Sequence, residues 1–344
     1  MPERPAGGPR YRPSMSPAID PGDARPATLE DVRAAAVRIA PFVRRTPLLS
    51  AGAIARDAAR GSLCFKCENL QLTGSFKIRG ATNAVQRLAA ADAPRGVVTH
   101  SSGNHALALV AAAGARGIPA YVVMPANASP VKRAAVVAAG GIVETSGNTA
   151  AEREALCEAV RARTGATIVP PYDHAWTIAG QGTIALEILA DAPDTATIVV
   201  PVGGGGMIAG MAIAAKALRP DVRIVGAEPA LADDAAESKR TGTRAAQRAP
   251  VTIADGLRAP LGALTFPVVR DLVDEIVTVG EDEISAGMRR VYADAKLVIE
   301  PSAGVGVAAV LGAAMRPQAA ADEARGRTVV VLCGGNADLD ALPW

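Results

Sequence analysis

The stretch "GSFKIRG", residues 74–80, sets Lys77 between two glycines and beside Phe76, in a chain with six lysines against thirty arginines. Arginine does not give up its proton, whereas a desolvated lysine does and can then act as a base or a nucleophile. Three loops have the composition to hold what such a lysine would act on. In "THSSGNHALAL", residues 99–109, a β-rich run ends and Ser101, Ser102, Gly103, Asn104 and His105 open a helical stretch. Free N–H groups and the helix dipole make such a start a seat for a carboxylate or phosphate. Four polar groups around one glycine exceed what helix capping needs. In "IVVPVGGGGMIAG", residues 198–210, Gly203, Gly204, Gly205 and Gly206 follow an apolar run and precede Met207 and a helix. Consecutive glycines cost backbone entropy, and strand, glycine turn and helix together form a phosphate cradle. In "VVLCGGNAD", residues 330–338, Cys333 stands at the carboxyl end of another apolar run.

A phosphate cradle, a carboxylate seat and a singular lysine suit pyridoxal 5′-phosphate, which binds lysine as a Schiff base and serves as an electron sink. A nucleotide reading competes. Gly204, Gly206 and Ala209 satisfy the loose G-x-G-x-x-A fingerprint, and Glu228 stands where a ribose-binding acid would in an NAD(P)-dependent oxidoreductase. Against it, the fingerprint falls mid-chain and Lys77 is left without a task.

These loops need strands and helices to carry them. "TLED" at Thr28 reads as a helix start with a capping box. Beyond it, β-rich runs ("VVTH", "AYVVMP", "ATIVPP", "TIVVPV", "RIVGAE", "EIVTVG", "TVVVLC") alternate with Ala-rich helical stretches at 104–116, 130–139, 149–163, 177–190, 206–218 and 282–295. Continuous apolar strands separated by helices predict an α/β fold of two doubly wound parallel sheets. Ligands of such sheets bind where strand–helix loops gather at the strands' carboxyl ends.

Composition narrows the function classes. The 344 residues are 49% hydrophobic and 20% charged with a net charge of +2, and hold ten aromatic residues and no basic block. Nucleic-acid binding has no electrostatic footprint here. The first 26 residues carry seven prolines and no apolar h-region, so they read as a disordered extension and not as a signal peptide. The uncharged stretch 195–215 is broken by Pro201 and glycines, which argues for strand, turn and helix over a membrane span. Cys64 and Cys67 form a C-x-x-C on an alternating, strand-like stretch that sends them to opposite faces, so with Cys157 and Cys333 they read as structural and reduced. The expected location is cytoplasmic.

The chain resembles the fold-type II pyridoxal-phosphate enzymes, in the threonine/serine dehydratase and serine racemase branch. The stretches that carry the resemblance run in family order from about residue 28 to the end: "RTPLL", "FKCENLQLTGSFKIRGATNAV", "VVTHSSGNHALAL", "IAGQGTIALEIL", "PVGGGGMIAG", "GAEPALADDAAESK", "TIADGL", "DEIVTVGEDEI", "EPSAGVGVAAVL" and "LCGGNADL". The resemblance implies a large cofactor-binding domain from 28–95 and 174–344, a small substrate-gating domain at 96–173, and no C-terminal regulatory domain. It implies that Lys77 holds the cofactor and moves the α-proton, with Phe76 packed beside the ring. Ser102 is the acid/base of the opposite face, Asn104 binds the ring's 3′-oxygen, and the main chain of Ser101 to His105 holds the substrate carboxylate. Gly203 to Gly206 and Met207 wrap the 5′-phosphate. Cys333 faces the pyridine nitrogen where the family more often has Ser or Thr, and keeps that partner neutral. It further implies a divalent-cation site, suited to Mg²⁺ or Ca²⁺, at Glu228, the carbonyl of Ala232 and Asp234. The expected activity is β-elimination of water from threonine or serine to a 2-oxo acid and ammonia. Serine racemase, or dehydration of a 3-hydroxyaspartate-type substrate, is the alternative. Its partners would be a small β-hydroxy amino acid and a second copy of the chain, as a homodimer or higher homo-oligomer. "PPYDHAW", residues 170–176, is expected at the pocket entrance.

Overall fold

The computed structural model describes residues 25–246, 248–312, 315 and 325–344. The proline-rich stretch up to residue 24 lies outside them. The last residues of the expected extension are described and packed: Arg25 pairs with Asp31 at 2.7 Å and Ala27 is buried. Thr28 then caps the helix Leu29–Ile39, with Asp31 returning the bond to the Thr28 backbone at 2.9 Å.

Ten strands form among the described residues: β1 Leu48–Ser50, β2 Leu63–Lys66, β3 Val97–His100, β4 Ala120–Pro125, β5 Ile142–Ser146, β6 Thr167–Ile168, β7 Thr195–Pro201, β8 Arg223–Pro229, β9 Glu275–Val279 and β10 Arg327–Val331. They assemble into a six-stranded sheet, β1-β2-β10-β7-β8-β9, and a four-stranded sheet, β5-β4-β3-β6. All neighbours are parallel except β1 on β2. The fold is α/β with two sheets, as the alternation of the sequence requires.

Side-chain period explains why both faces of each sheet are covered. Every residue of β7 is buried, whichever way it points. In the small sheet, Val97 and Val122 pack with residues of the helices Lys77–Arg87 and Asn104–Arg116. Their chain neighbours Val98 and Val123 pack instead with Cys157 and Val160 of the helix Ala150–Thr164. The helix Lys77–Arg87 thus buries Ile78, Ala81 and Val85 in the small-sheet cluster, although residues 28–95 were expected with the large sheet.

That helix is also tied to the large-sheet side by a buried ion network. Arg79 donates to both Glu68 oxygens at 2.8 Å and to Glu187 at 2.7 Å, and Lys66 donates to the other Glu187 oxygen at 2.6 Å. Lys66, Glu68 and Arg79 are fully buried. Two cations balance two carboxylates with their lone pairs filled, the condition under which buried charges are tolerated. The network fixes the position of the helix whose first residue is Lys77.

Several boundaries differ from the expected ones. The run at 166–171 forms only the short β6, since Pro170 and Pro171 lack the N–H a ladder needs. β5 has no strong sequence signal, because its residues are mostly half-exposed and include Glu144 and Thr145. The helix expected over 282–295 stops at Arg290, and a π-turn carries the chain through Val291–Ala295. Cys64, Cys67, Cys157 and Cys333 are all free and buried.

Candidate active site

Lys77 owes its position to both flanks. Ser75 forms an antiparallel bridge with Gly334, and the Phe76 N–H donates to the Cys333 carbonyl at 3.1 Å. The extended segment therefore runs along the loop after β10 before the helix begins at Lys77. The Lys77 Nζ donates to the Pro171 carbonyl at 2.9 Å and lies 5.0 Å from the centre of the Phe76 ring.

Lys77, the loop after β3 and the glycine loop after β7 line one cavity of about 250 Å³, together with Phe76 and Cys333. Every cofactor- and substrate-binding residue expected from the sequence lies in that lining: Ser101 to His105, Gly203 to Gly206 and Met207 are all there. The glycine loop is glycine for two reasons. Gly205 has φ +84°, a left-handed conformation that side chains disfavour, and an added Cβ would also meet Leu261 at 2.7 Å. At Gly204 the Tyr172 ring lies flat against the backbone, 2.5 Å from where a Cβ would stand.

Electrostatics set the protonation states. Burial pushes the Lys77 ammonium down to about 8, opposed by the nearby Cys333 and Glu300. Burial raises the Cys333 thiol well above its usual value, so it stays neutral. Burial, aided by the Lys77 charge, lowers His105 to about 3 and leaves it a neutral imidazole. Its Nε2 lies 3.0 Å from the Val169 carbonyl, an acceptor only, so that nitrogen carries the proton. A depressed lysine beside a cradle of backbone amides fits a phosphate-bearing aldehyde that must meet a neutral amine.

The Lys77 shift has a kinetic consequence. Below pH 8 the side chain is mostly ammonium and cannot attack a carbonyl; above it the free amine dominates. The rate at which ligand-free protein takes up pyridoxal phosphate should rise about tenfold per pH unit below 8 and level off above it. An ordinary lysine, at 10.5, would keep the rate climbing past pH 9. Stopped-flow absorbance across this range separates the two outcomes.

Sequence reasoning assigned no role to Glu300, Asn336, Lys132 or Asp255, which also line the cavity. Glu300 is 5% exposed and accepts from the Asn104 amide through both oxygens, at 2.9 and 3.0 Å. Asn336 donates to the Asn104 carbonyl oxygen at 2.8 Å and so fixes which end of that amide faces Glu300. Burial pushes the Glu300 carboxyl up to about 7, against the Asn104 hydrogen bonds. The signal available was "EPSAG": an acid directly before Pro301, at the start of the buried helix Pro301–Leu311. Of "PPYDHAW", Pro171 and Tyr172 reach the cavity. Asp173 accepts from the Ala263 and Leu264 amides, and His174 caps the helix Ala175–Asp191.

The expected cation ligands lie elsewhere. Ala232 and Asp234 border a separate depression, and Glu228 is fully buried. Both Glu228 oxygens accept backbone amides, from Ala235 at 3.1 Å and Ala236 at 2.9 Å. Burial and the neighbouring Asp234 push the Glu228 carboxyl up to about 8. Among the described residues no lysine or arginine pairs with it, so two close acids and a carbonyl fit a hard cation. The same geometry removes the nucleotide reading. A carboxylate sealed under the helix Asp234–Thr241 cannot reach a ribose.

A family model described as pyridoxal-phosphate dependent enzyme matches residues 39–334. The chain belongs to that family. Pyridoxal phosphate is accordingly the cofactor of this family of enzymes, and the cavity around Lys77 has the parts to hold it. A serine racemase of Oryza sativa subsp. indica is 46% identical over 317 residues, covering 92% of this chain and 93% of that protein. A beta-hydroxyaspartate dehydratase of Paracoccus denitrificans is 43% identical over 317 residues, covering 92% and 98%. The solved structure of maize serine racemase superimposes with a TM-score of 0.89 at 44% identity, covering 91% of this chain and 95% of that one. Among the described residues no helix is long and apolar enough to cross a membrane.

Proposed function

We propose that this pyridoxal-phosphate enzyme is a serine racemase that also eliminates water from serine. The dehydratase reading expected from the sequence becomes the companion reaction, because the similar proteins named above include two serine racemases. The observation that carries the reading is the convergence of Lys77 and Ser102 on one cavity: an amine and a hydroxyl beside the same glycine cradle.

Bound pyridoxal phosphate supplies the electron sink that lets a proton leave the α-carbon. Gly203 to Gly206 offer main-chain amides to its phosphate, and Asn104, oriented by Glu300 and Asn336, offers an amide N–H to its ring. The neutral Cys333 thiol, in the same lining, would meet the ring nitrogen as an uncharged partner. The main chain from Ser101 to His105, at the start of the helix Asn104–Arg116, holds the substrate carboxylate. The free amine of Lys77, which burial makes available near pH 8, takes the α-proton from one face, and the Ser102 hydroxyl returns a proton from the other. Return from the opposite face inverts the centre. Loss of the β-hydroxyl as water, before any proton returns, gives the 2-oxo acid and ammonia after hydrolysis. Glu228, the Ala232 carbonyl and Asp234 would hold a divalent cation.

Purified protein incubated with L-serine should accumulate D-serine and pyruvate together, and chelation of divalent cations should slow both. Chiral chromatography and 2-oxo acid detection follow the two products. Pyruvate without D-serine would restore the dehydratase reading; neither product would end both.

A further inference from the structure

Four successive glycines have no preferred backbone conformation, so the loop Gly203 to Gly206 needs an outside support to present its amides in one direction. Such a support stands behind it. Thr265, the first residue of the helix Thr265–Leu272, is fully buried and does not line the cavity. Its hydroxyl donates to the Gly204 carbonyl at 2.8 Å, and the same oxygen accepts the Gly262 N–H at 2.8 Å. A hydroxyl has one proton and a carbonyl oxygen can only accept, so the direction of the bond to Gly204 is fixed.

Thr265 is itself held in place. Asp173 accepts the Ala263 and Leu264 amides at 2.8 Å and the Thr265 amide at 3.3 Å. Tyr172, the residue before it, packs on Gly204 and Gly206, and Leu261 and Thr265 close on Gly205.

The peptide plane turns the Thr265 contact into an orientation. Among the described residues no peptide bond is cis, and in a trans peptide the C=O and the following N–H point in opposite directions. Drawing the Gly204 carbonyl toward Thr265, outside the cavity, turns the Gly205 N–H the other way, toward the cavity that Gly205 lines. Among the described residues no acceptor takes that N–H. Gly205 directly precedes the helix Gly206–Leu218, where a free amide and the helix dipole favour an anion. Without the hydroxyl, the Gly204–Gly205 peptide loses its tether and spends part of its time turned away. A ligand's apparent affinity falls with the competent fraction. We propose that Thr265 is a positioning residue for the cofactor phosphate, its hydroxyl holding the Gly204–Gly205 peptide so that the Gly205 N–H meets the phosphate; this rests on the reading of Gly203 to Gly206 as the phosphate seat.

The test compares pyridoxal phosphate with pyridoxal, which has the ring and the aldehyde but no phosphate. Each is titrated into the full-length protein stripped of cofactor, as wild type, Thr265→Val and Thr265→Ser, and aldimine absorbance gives the dissociation constant. Valine keeps the branched shape and removes the hydroxyl. Its dissociation constant for pyridoxal phosphate should rise about tenfold, while that for pyridoxal stays at the wild-type value. Thr265→Ser keeps the hydroxyl and should bind both as the wild type does. A Thr265→Val protein that holds pyridoxal phosphate like the wild type overturns the role of Thr265 and leaves the phosphate seat standing. Equal weakening of both ligands overturns it too, since a general loosening of the fold does not single out the phosphate. A wild type that binds pyridoxal as tightly as pyridoxal phosphate overturns the phosphate seat, and the role of Thr265 with it. Hydrogen exchange in the wild type needs no variant to fold. Exchange of the Gly205 amide should be slowed by pyridoxal phosphate and not by pyridoxal, and an amide that pyridoxal phosphate leaves unprotected overturns the proposal.

Discussion

Lys77→Ala is expected to lower both racemisation and elimination of serine by at least about 10³-fold, since one side chain provides both the covalent anchor and a proton-transfer group. The physical basis is local. Its Nζ sits in a desolvated pocket that pushes it down to about 8, so near neutral pH a usable fraction is free amine. Alanine removes that amine while leaving the buried Arg79 network that positions the helix. The variant should therefore fold, and the loss should be chemical. Borohydride reduction followed by peptide mass spectrometry should find the cofactor adduct at position 77 in the wild type and nowhere in the variant. An adduct that persists, or turnover within tenfold of wild type, would refute the assignment of Lys77.

Ser102→Ala is expected to separate the two reactions. If Ser102 supplies the proton that inverts the α-carbon, its loss should cut D-serine formation from L-serine by about 10²–10⁴-fold. Elimination from L-serine needs proton removal by Lys77 alone and should persist within about tenfold, a contrast that general acid–base magnitudes make easy to resolve. The substitution is small, at a half-buried loop position that lines the cavity and precedes the helix Asn104–Arg116, so packing should change little. Chiral chromatography and pyruvate detection on the same samples give the ratio directly. Parallel loss of both products would make Ser102 a binding group and not the second acid/base, whereas unchanged racemisation would place that proton on another residue.

The outcome for individual residues shows what a sequence can carry. Lys77, the loop Ser101 to His105 and the loop Gly203 to Gly206 were legible because their chemistry is local. A scarce lysine, a helix start crowded with donors and four adjacent glycines each announce themselves within a few residues. The strands β3, β4 and β7 to β10 were legible for the same reason, as short apolar runs between helices. β5, half-exposed and polar, was not.

Glu300 and Asn336 were illegible for a different reason. Their value lies in meeting Asn104, 196 and 232 residues away, where they orient one amide. A glutamate before a proline at a helix start looks like an ordinary first-turn acid until the chain folds it to 5% exposure in the cavity. Lys132 and Asp255 read as surface charges, and only the approach of the two sheet units makes them a pair across the mouth. Glu228 shows the converse, since its position in sequence allowed a ribose or a cation, and burial under two backbone amides removed the first. By itself, then, the order of residues determined the α/β class, the cofactor chemistry and the loops that hold it, because backbone period and local donors are short-range properties. The tertiary structure alone decided which distant charges share a cavity, since burial and proximity across the chain set each group's ionisation and neither is written in any single segment.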